Sequence, residues 1–438
     1  MTLRQSARDM QERRDEVGFI ELLRVNPLFR KFWCANAISM LGEWFNTVAL
    51  FVMIERLTNS ALAIGAVFVL RMFALAVPQV FTGVLADRYS RKWLMVGANL
   101  ASAILVLALF MVDDTGDVWL IYAVAGGLMA FHAVYVPAEN AALPNLVKEN
   151  ELLTANALNS ATWSASLAIG ASIGGLVVAK WGVEVAFVID SASFLVAAIM
   201  LSTLTIPQKK SEVNEDSFWR SSLSDVRQGW RIIRSRPEVG RIITAKALWS
   251  CFGGGLVYML VLIGANGEFG EVAAGIGILF AARGIGTGIG PVLARYVFSD
   301  RSWWPFLLGI LVSTCGLGYL IIGLFQWGLW ITVLIIISHA ASGANWVLST
   351  VLLQERSEDE WRGRMFATDF LLMTSVNGFS TMAASLMLEY TDIGLRSAML
   401  LFATLQIFSG LLWIGITRPG EKKYASMTQA LERQGTVA

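Results

Sequence analysis

Apolar runs of about 20 residues, separated by charged or turn-forming stretches, recur along the whole chain and constrain its fold more than any other feature. A run of that length crosses hydrocarbon as a helix, because lipid offers the backbone no partner and each segment must satisfy its own N–H and C=O groups. Windows near 31–54, 61–85, 92–112, 118–140, 156–179 and 184–206 qualify, followed by 241–264, 271–295, 303–325, 328–353, 365–388 and 394–417. The expectation is an all-α membrane protein with twelve transmembrane helices. At 55% hydrophobic and 15% charged over 438 residues, a soluble fold would have too few polar groups to cover its surface. A net charge of +1 makes no case for a nucleic-acid partner. Cys34, Cys251 and Cys315 all fall inside apolar runs, where they read as small packing residues rather than a disulfide framework. The segment ahead of Lys31 lacks an apolar stretch followed by a cleavage site, so no removable signal peptide is expected.

Charge placement gives the topology. Arg4, Arg8, Arg13, Arg14, Arg24, Arg30 and Lys31 lead the chain, and Lys209, Lys210, Arg220, Arg227, Arg231, Arg234 and Arg236 fill the middle. Connections on the other side carry only Arg56, Lys180 and Arg396. Cationic loops resist translocation, so both termini and the middle loop are expected on the cytoplasmic side of a bacterial inner membrane. The divisions are then an N-terminal segment at 1–30, a six-helix bundle at 31–206, a linker at 207–240, a second bundle at 241–417 and a tail at 418–438. Within the linker, Phe218, Leu223, Val226, Trp230 and Ile233 recur at helical spacing among basic residues. That pattern predicts an amphipathic helix, either on the inner leaflet or simply joining the bundles.

The second and eighth windows repeat one another. GAVFVLR at Gly65–Arg71 matches GILFAAR at Gly277–Arg283 in its Gly, Phe and Arg. With one residue of slippage, Pro78 pairs with Pro291, Asp87 with Asp300 and Arg88 with Arg301. Helices that match in the same direction make the halves parallel repeats about an axis along the membrane normal, an architecture suited to rocking around a central cavity.

After the second window, GVLADRYSRKWLM at Gly83–Met95 resembles the major facilitator signature G-x-L-a-D-R-x-G-R-K-x-x-L, with Ser90 replacing the second Gly. The resemblance implies a conformational role for Gly83, Asp87, Arg88, Arg91 and Lys92, which in the family help hold one alternating-access state. Further stretches, NPLFRKFW, ISMLGEW, VPAENAALPNLV and RGRMFA at Arg362–Ala367, are similar to the drug-exporter branch that includes siderophore and macrolide efflux proteins. GASIGG at Gly170–Gly175 resembles the antiporter motif G-P-x-x-G-G with Ala171 in place of Pro, and its glycines also suit plain helix packing.

Ionisable residues in the spans are the candidates for chemistry, since burying one unpaired in a membrane costs several kcal/mol. Glu43 lies about 18 Å into the first span and Arg71 about 15 Å into the second from the opposite side, so they can pair at similar depth. This pair serves either as a proton-operated switch or as a fixed lock. Arg283, the repeat of Arg71, faces GGGLVY where the first span has its acid, and pairs either with an anionic substrate or with a carbonyl or another helix. Lys246 is close enough to the cytoplasmic end to snorkel. His132 and His339 titrate in a useful range but also suit hydrogen-bonded packing, and Asp190, flanked by Ser191 and Ser193, suits local hydrogen bonding. Trp44, Phe131, Tyr135, Tyr258 and Trp346 offer aromatic surface for a bulky ligand.

The function expected is secondary active transport: export of an amphiphilic organic molecule, a siderophore or drug-like compound, driven by proton antiport, by a monomer among membrane lipids. Movement of a lysophospholipid between leaflets is the alternative. A membrane receptor or enzyme is disfavoured because the sequence carries no metal-ligand cluster, nucleophile elbow or nucleotide loop, and no cofactor is expected.

Overall fold

A computed structural model describes residues 17–208, 218–297 and 303–433 of the chain. Among these residues there are fourteen α-helices and no strands, and twelve helices are long and apolar enough to cross a membrane. A short helix, α1 (Phe19–Val25), precedes the first six: α2 (Pro27–Thr58), α3 (Ala61–Arg88), α4 (Arg91–Leu107), α5 (Val118–Ala142), α6 (Glu149–Trp181) and α7 (Val183–Ser202). The linker helix α8 (Phe218–Ser235) leads to the second six: α9 (Pro237–Ala265), α10 (Val272–Val297), α11 (Trp304–Leu324), α12 (Ile331–Glu355), α13 (Asp359–Tyr390) and α14 (Leu395–Arg433).

The repeat is written into the helix starts. Pro27 and Pro237 open α2 and α9, and Glu149 and Asp359 open α6 and α13 at the same offset between the halves. Proline fits the first helical position because its missing N–H would have no partner there. Asn26 caps α2 by accepting from the Phe29 N–H, and its amide donates to the Leu146 carbonyl at 2.9 Å and Glu151 Oε2 at 3.1 Å. Several helices start earlier than the apolar windows, at 27, 149 and 359, because their first turns carry polar residues that hydropathy excludes but capping and tertiary bonds retain. The last helix likewise runs past 417 to Arg433. There Glu421 receives Arg241 Nε at 2.6 Å and both terminal nitrogens of Arg356, at 2.7 and 3.0 Å, fastening this extension to α9 and the end of α12.

Three apolar clusters divide the molecule. One joins both halves at the ends of the helices remote from the linker, bringing Phe51, Val67 and Phe187 together with Tyr258, Phe280 and Met399. A second belongs to the N-terminal half alone and a third to the C-terminal half alone, and both lie toward the linker end. Among the described residues the apolar core shared by the halves lies at the end remote from the linker, and none bridges them at the linker end.

The meeting is close because glycine removes side chains from it. A Cβ on Gly175 of α6 would sit 2.6 Å from the Ala273 carbonyl oxygen of α10, and one on Gly277 would sit 2.8 Å from that of Ala171. At the second seam, Gly65 of α3 packs on Ser385 of α13 and Gly378 packs on Phe73. Aromatic rings fill the space between: Phe51 stacks on Phe68 at 4.6 Å, Phe68 meets Tyr258 edge-on at 6.0 Å, and Trp44 and Phe51 lie 6.2 and 6.3 Å from Phe280.

The linker helix α8 touches α3 of one half and α13 of the other. Its Gly229 lies against Thr368 and the Arg364 carbonyl, while Ile232 and Ile233 pack into the C-terminal apolar cluster.

Candidate functional site

Buried polar groups surround each of the two repeated arginines. In the N-terminal half, Arg71 NH2 donates to Glu43 Oε1 at 3.2 Å, so the pair expected between α2 and α3 is formed. Asp190 of α7 joins them: it is fully buried, acts electrostatically on both, and lies against Gly42, the neighbour of Glu43. The adjacent serines do not serve its carboxyl. Ser193 donates to the Asp190 backbone carbonyl and Ser191 to that of Ala103, and both Asp190 carboxyl oxygens are buried without a hydrogen-bond partner. Local hydrogen bonding, expected from the sequence, therefore involves the backbone instead. Asn46, one turn along α2, is the side chain beside this carboxyl that can donate to it.

A small cavity of about 30 Å3 runs along one face of α2 past Asn36, Ser39 and Glu43, and Asn99, Ser102, His132 and Tyr135 complete its polar lining. That volume is enough for about two waters. Toward the linker it ends at a group that the sequence does not single out. Glu139 of α5 is buried and accepts at Oε1 from Asn36 Nδ2 at 2.6 Å and Asn159 Nδ2 at 3.3 Å, while the Tyr135 hydroxyl donates to Asn36 Oδ1. Phe131 lines the cavity beside His132, and Trp44 packs against Gly170 and Phe280.

In the C-terminal half, Arg283 has other company. Its guanidinium lies over the Phe280 ring at 5.6 Å and beside Tyr319, Cys315 and His339, and its buried Nε has no hydrogen-bond partner. His339 shares a 2.8 Å hydrogen bond with the Tyr319 hydroxyl, so this histidine belongs to the Arg283 group and not to that of Glu43. Nearer the linker, Lys246 does not snorkel. It is buried and ion-paired to Asp369 Oδ2 at 2.7 Å, with Thr350 accepting at 3.3 Å and the Trp346 ring 4.9 Å away. A close carboxylate inside the bundle removes the reason to reach for the interface.

Tyr258 also differs from its expected place on a ligand-accessible wall. It is fully buried in the seam, donating to the Ala61 carbonyl across the halves at 2.6 Å. Trp346 is 43% exposed. The glycines of GASIGG act in packing: Gly170 and Gly174 lie against Trp44 and Phe45 of α2, and Gly175 lies against α10.

In the basic loop, Arg91 donates to the Ala141 carbonyl at 2.7 Å and the Ala86 carbonyl at 3.4 Å, and its backbone N–H donates to Gln208 Oε1 at 3.0 Å. Arg88 ends α3 at the surface, and Lys92 lies over the Trp93 ring at 5.0 Å. The side-chain surroundings of Gly83 and Asp87 lie outside what is described, as do Asp300 and Arg301.

Twelve crossing helices in two parallel repeats with charged pairs at mid-depth define a membrane transporter. The chain belongs to the Major Facilitator Superfamily, which it matches over residues 32–376. It is 29% identical over 358 residues to the enterobactin exporter EntS of Escherichia coli, covering 79% of this chain and 82% of that protein. To macrolide efflux protein A of Streptococcus pyogenes it is 24% identical over 393 residues, 86% of this chain and 93% of that one. Its alignment with the uncharacterized transporter YfiS of Bacillus subtilis, 24% identical, spans 48% of this chain and about half, 52%, of that protein. Its fold superimposes on a bacterial homologue of the lysosomal transporter Spinster, solved inward-facing and unoccupied, with a TM-score of 0.68 at 15% identity, covering 89% of this chain and 96% of that one. The protein is thus a multi-pass transporter of the bacterial inner membrane and not an enzyme.

Proposed function

We propose that the protein exports an amphiphilic organic molecule in exchange for protons, as a monomer alternating between inward- and outward-open states. The observation that carries the coupling is Asp190: a fully buried carboxyl with only the neutral Asn46 amide beside it as donor, facing the Glu43–Arg71 pair. Two carboxyls and one guanidinium make a neutral group only when one proton is bound, and an uncompensated charge at that depth costs several kcal/mol. Proton uptake or loss therefore changes how tightly Arg71 is held and shifts the balance between states. The cavity lined by Asn36, Tyr135, His132 and Glu43, with Glu139 bonded to Asn36 at its linker end, offers that proton a route inside the N-terminal half, apart from the space between the halves.

With the linker side cytoplasmic, as the positive-inside rule requires, the ends without a shared apolar core face the cytoplasm and the sealed aromatic seam faces outward. Export is further supported by the two efflux relatives. The cargo is sought first: metabolites retained by a deletion strain, grown with and without iron, name it. In proteoliposomes supplied with that cargo, wild-type transport is expected to follow the pH gradient, and Glu43→Gln to reduce gradient-driven flux to that of empty liposomes while the protein remains folded. Undiminished pH-gradient dependence in Glu43→Gln refutes the coupling assignment.

A further inference from the structure

The surroundings of Arg283 carry an inference about the cargo. Cations inside the bundles are normally neutralised from within, as Arg71 is by Glu43 and Lys246 by Asp369. Among the described residues no carboxylate acts on Arg283; its electrostatic neighbours are Tyr319 and Cys315. Nor is its environment merely apolar. Arg283 Nε and His339 Nδ1 are buried without hydrogen-bond partners, and Trp249 Nε1 and the Gln406 amide have only the Cys315 thiol, a weak acceptor, beside them. They come from four helices, and Trp249 and Gln406 lie together at Cys315. Buried polar groups are rarely left unpaired, because each one costs the desolvation of its hydrogen-bonding atoms. Donors that meet nothing stronger than a thiol, around a guanidinium with no carboxylate, define a site lacking an acceptor that bears negative charge.

The site is within reach of the space between the halves. Arg283 is partly exposed, and it lies between Phe280, whose ring meets Trp44 and Phe51 of the opposite half, and Gly284, which packs on Ala168 of the opposite half. Trp249 stands one helical turn from Lys246 on α9, toward the sealed end.

We propose that Arg283, with Trp249 and Gln406, binds the anionic group of the transported molecule, so that the cargo class is an amphiphilic organic anion whose apolar body rests on the neighbouring aromatic rings. This deepens the exporter reading and rests on it. Its test is nevertheless separate, because binding is measured at equilibrium with no pH gradient. A failed coupling experiment leaves the site intact, and a failed binding experiment leaves coupling intact.

The probes are 1-naphthoate and its neutral counterpart 1-naphthamide, titrated against purified full-length protein in detergent and followed by thermal stabilisation. Wild type is expected to bind naphthoate more tightly than naphthamide. Arg283→Gln is expected to weaken naphthoate by about ten- to a hundredfold, the loss of a charge-assisted bond, and to leave naphthamide unchanged. Should Arg283→Gln not fold, Trp249→Phe keeps the ring while removing the N–H, and is expected to weaken naphthoate selectively. Equal affinity of wild type for the two probes, or undiminished naphthoate binding in Arg283→Gln or Trp249→Phe, overturns the proposal. So does chloride stabilisation dependent on Arg283 with no response to naphthoate, which would make this an inorganic-anion site.

Discussion

Arg71 and Arg283 hold the same place in the two halves and keep opposite company. Arg71 has one acid at 3.2 Å and a second close by, whereas Arg283 has neutral groups with unsatisfied hydrogen-bonding atoms. Nearer the linker the asymmetry reverses. Asn36 and Asn159 share Glu139 without a cation, while their repeat mates Lys246 and Asp369 pair directly with each other. Duplication has fixed the backbone and left the charges free to diverge. The N-terminal half carries surplus acid, which suits taking up and releasing protons. The C-terminal half closes one of its ion pairs internally and leaves one cation open, which suits holding an anion.

The largest expected effect comes from breaking the closed pair. Asp369→Asn strands Lys246, whose side chain is 4% exposed, and should cost about 3–5 kcal/mol of stability in detergent unfolding. Replacing both residues, Lys246→Met with Asp369→Leu, should restore most of that loss, since paired removal leaves no orphaned charge. If Asp369→Asn costs under about 1 kcal/mol, as an exposed pair would, the C-terminal half has no internal clamp and the contrast between the halves fails.

How much of this the sequence discloses follows from what each signal measures. Hydropathy sees lipid contact, so all twelve crossings are legible, yet the polar first turns of α2, α6 and α13 and the extension of α14 past 417 are not. The Glu43–Arg71 pair is legible because both charges interrupt apolar runs at matching depth. Glu139 escapes notice because it lies in the last turn of α5, at the very edge of its apolar window, and only tertiary packing against Asn36 buries it. Lys246–Asp369 escapes for the same reason, although the offset that relates Pro27 to Pro237 also relates Asn36 to Lys246 and Asn159 to Asp369, and so could have exposed it. Tyr258 falls on the wrong surface because residue type cannot tell a cavity wall from a seam.

A charge transplant sharpens the comparison at the arginines. Gly253 occupies the repeat position of Glu43, and a Cβ there would meet nothing closer than Trp249 at 3.6 Å. Gly253→Glu is therefore expected to give Arg283 the acid it lacks and to weaken naphthoate binding about tenfold by competition for the guanidinium. Unchanged affinity would mean that the halves are not matched at this depth.

The smallest effect is the most discriminating, because it tests the same helical position that Asp369 occupies. Asn159 contributes one bond of 3.3 Å to Glu139, which retains the shorter bond from Asn36 at 2.6 Å after Asn159→Ala. No charge is stranded, because the lost partner is a neutral amide. The expected cost is about 1 kcal/mol or less. The comparison predicts more than the two magnitudes: it predicts that they separate by a factor of about three or more at matched positions. Should Asn159→Ala prove as damaging as Asp369→Asn, the network around Glu139 would be a structural clamp like the C-terminal pair, and its part in carrying protons would lose its physical basis.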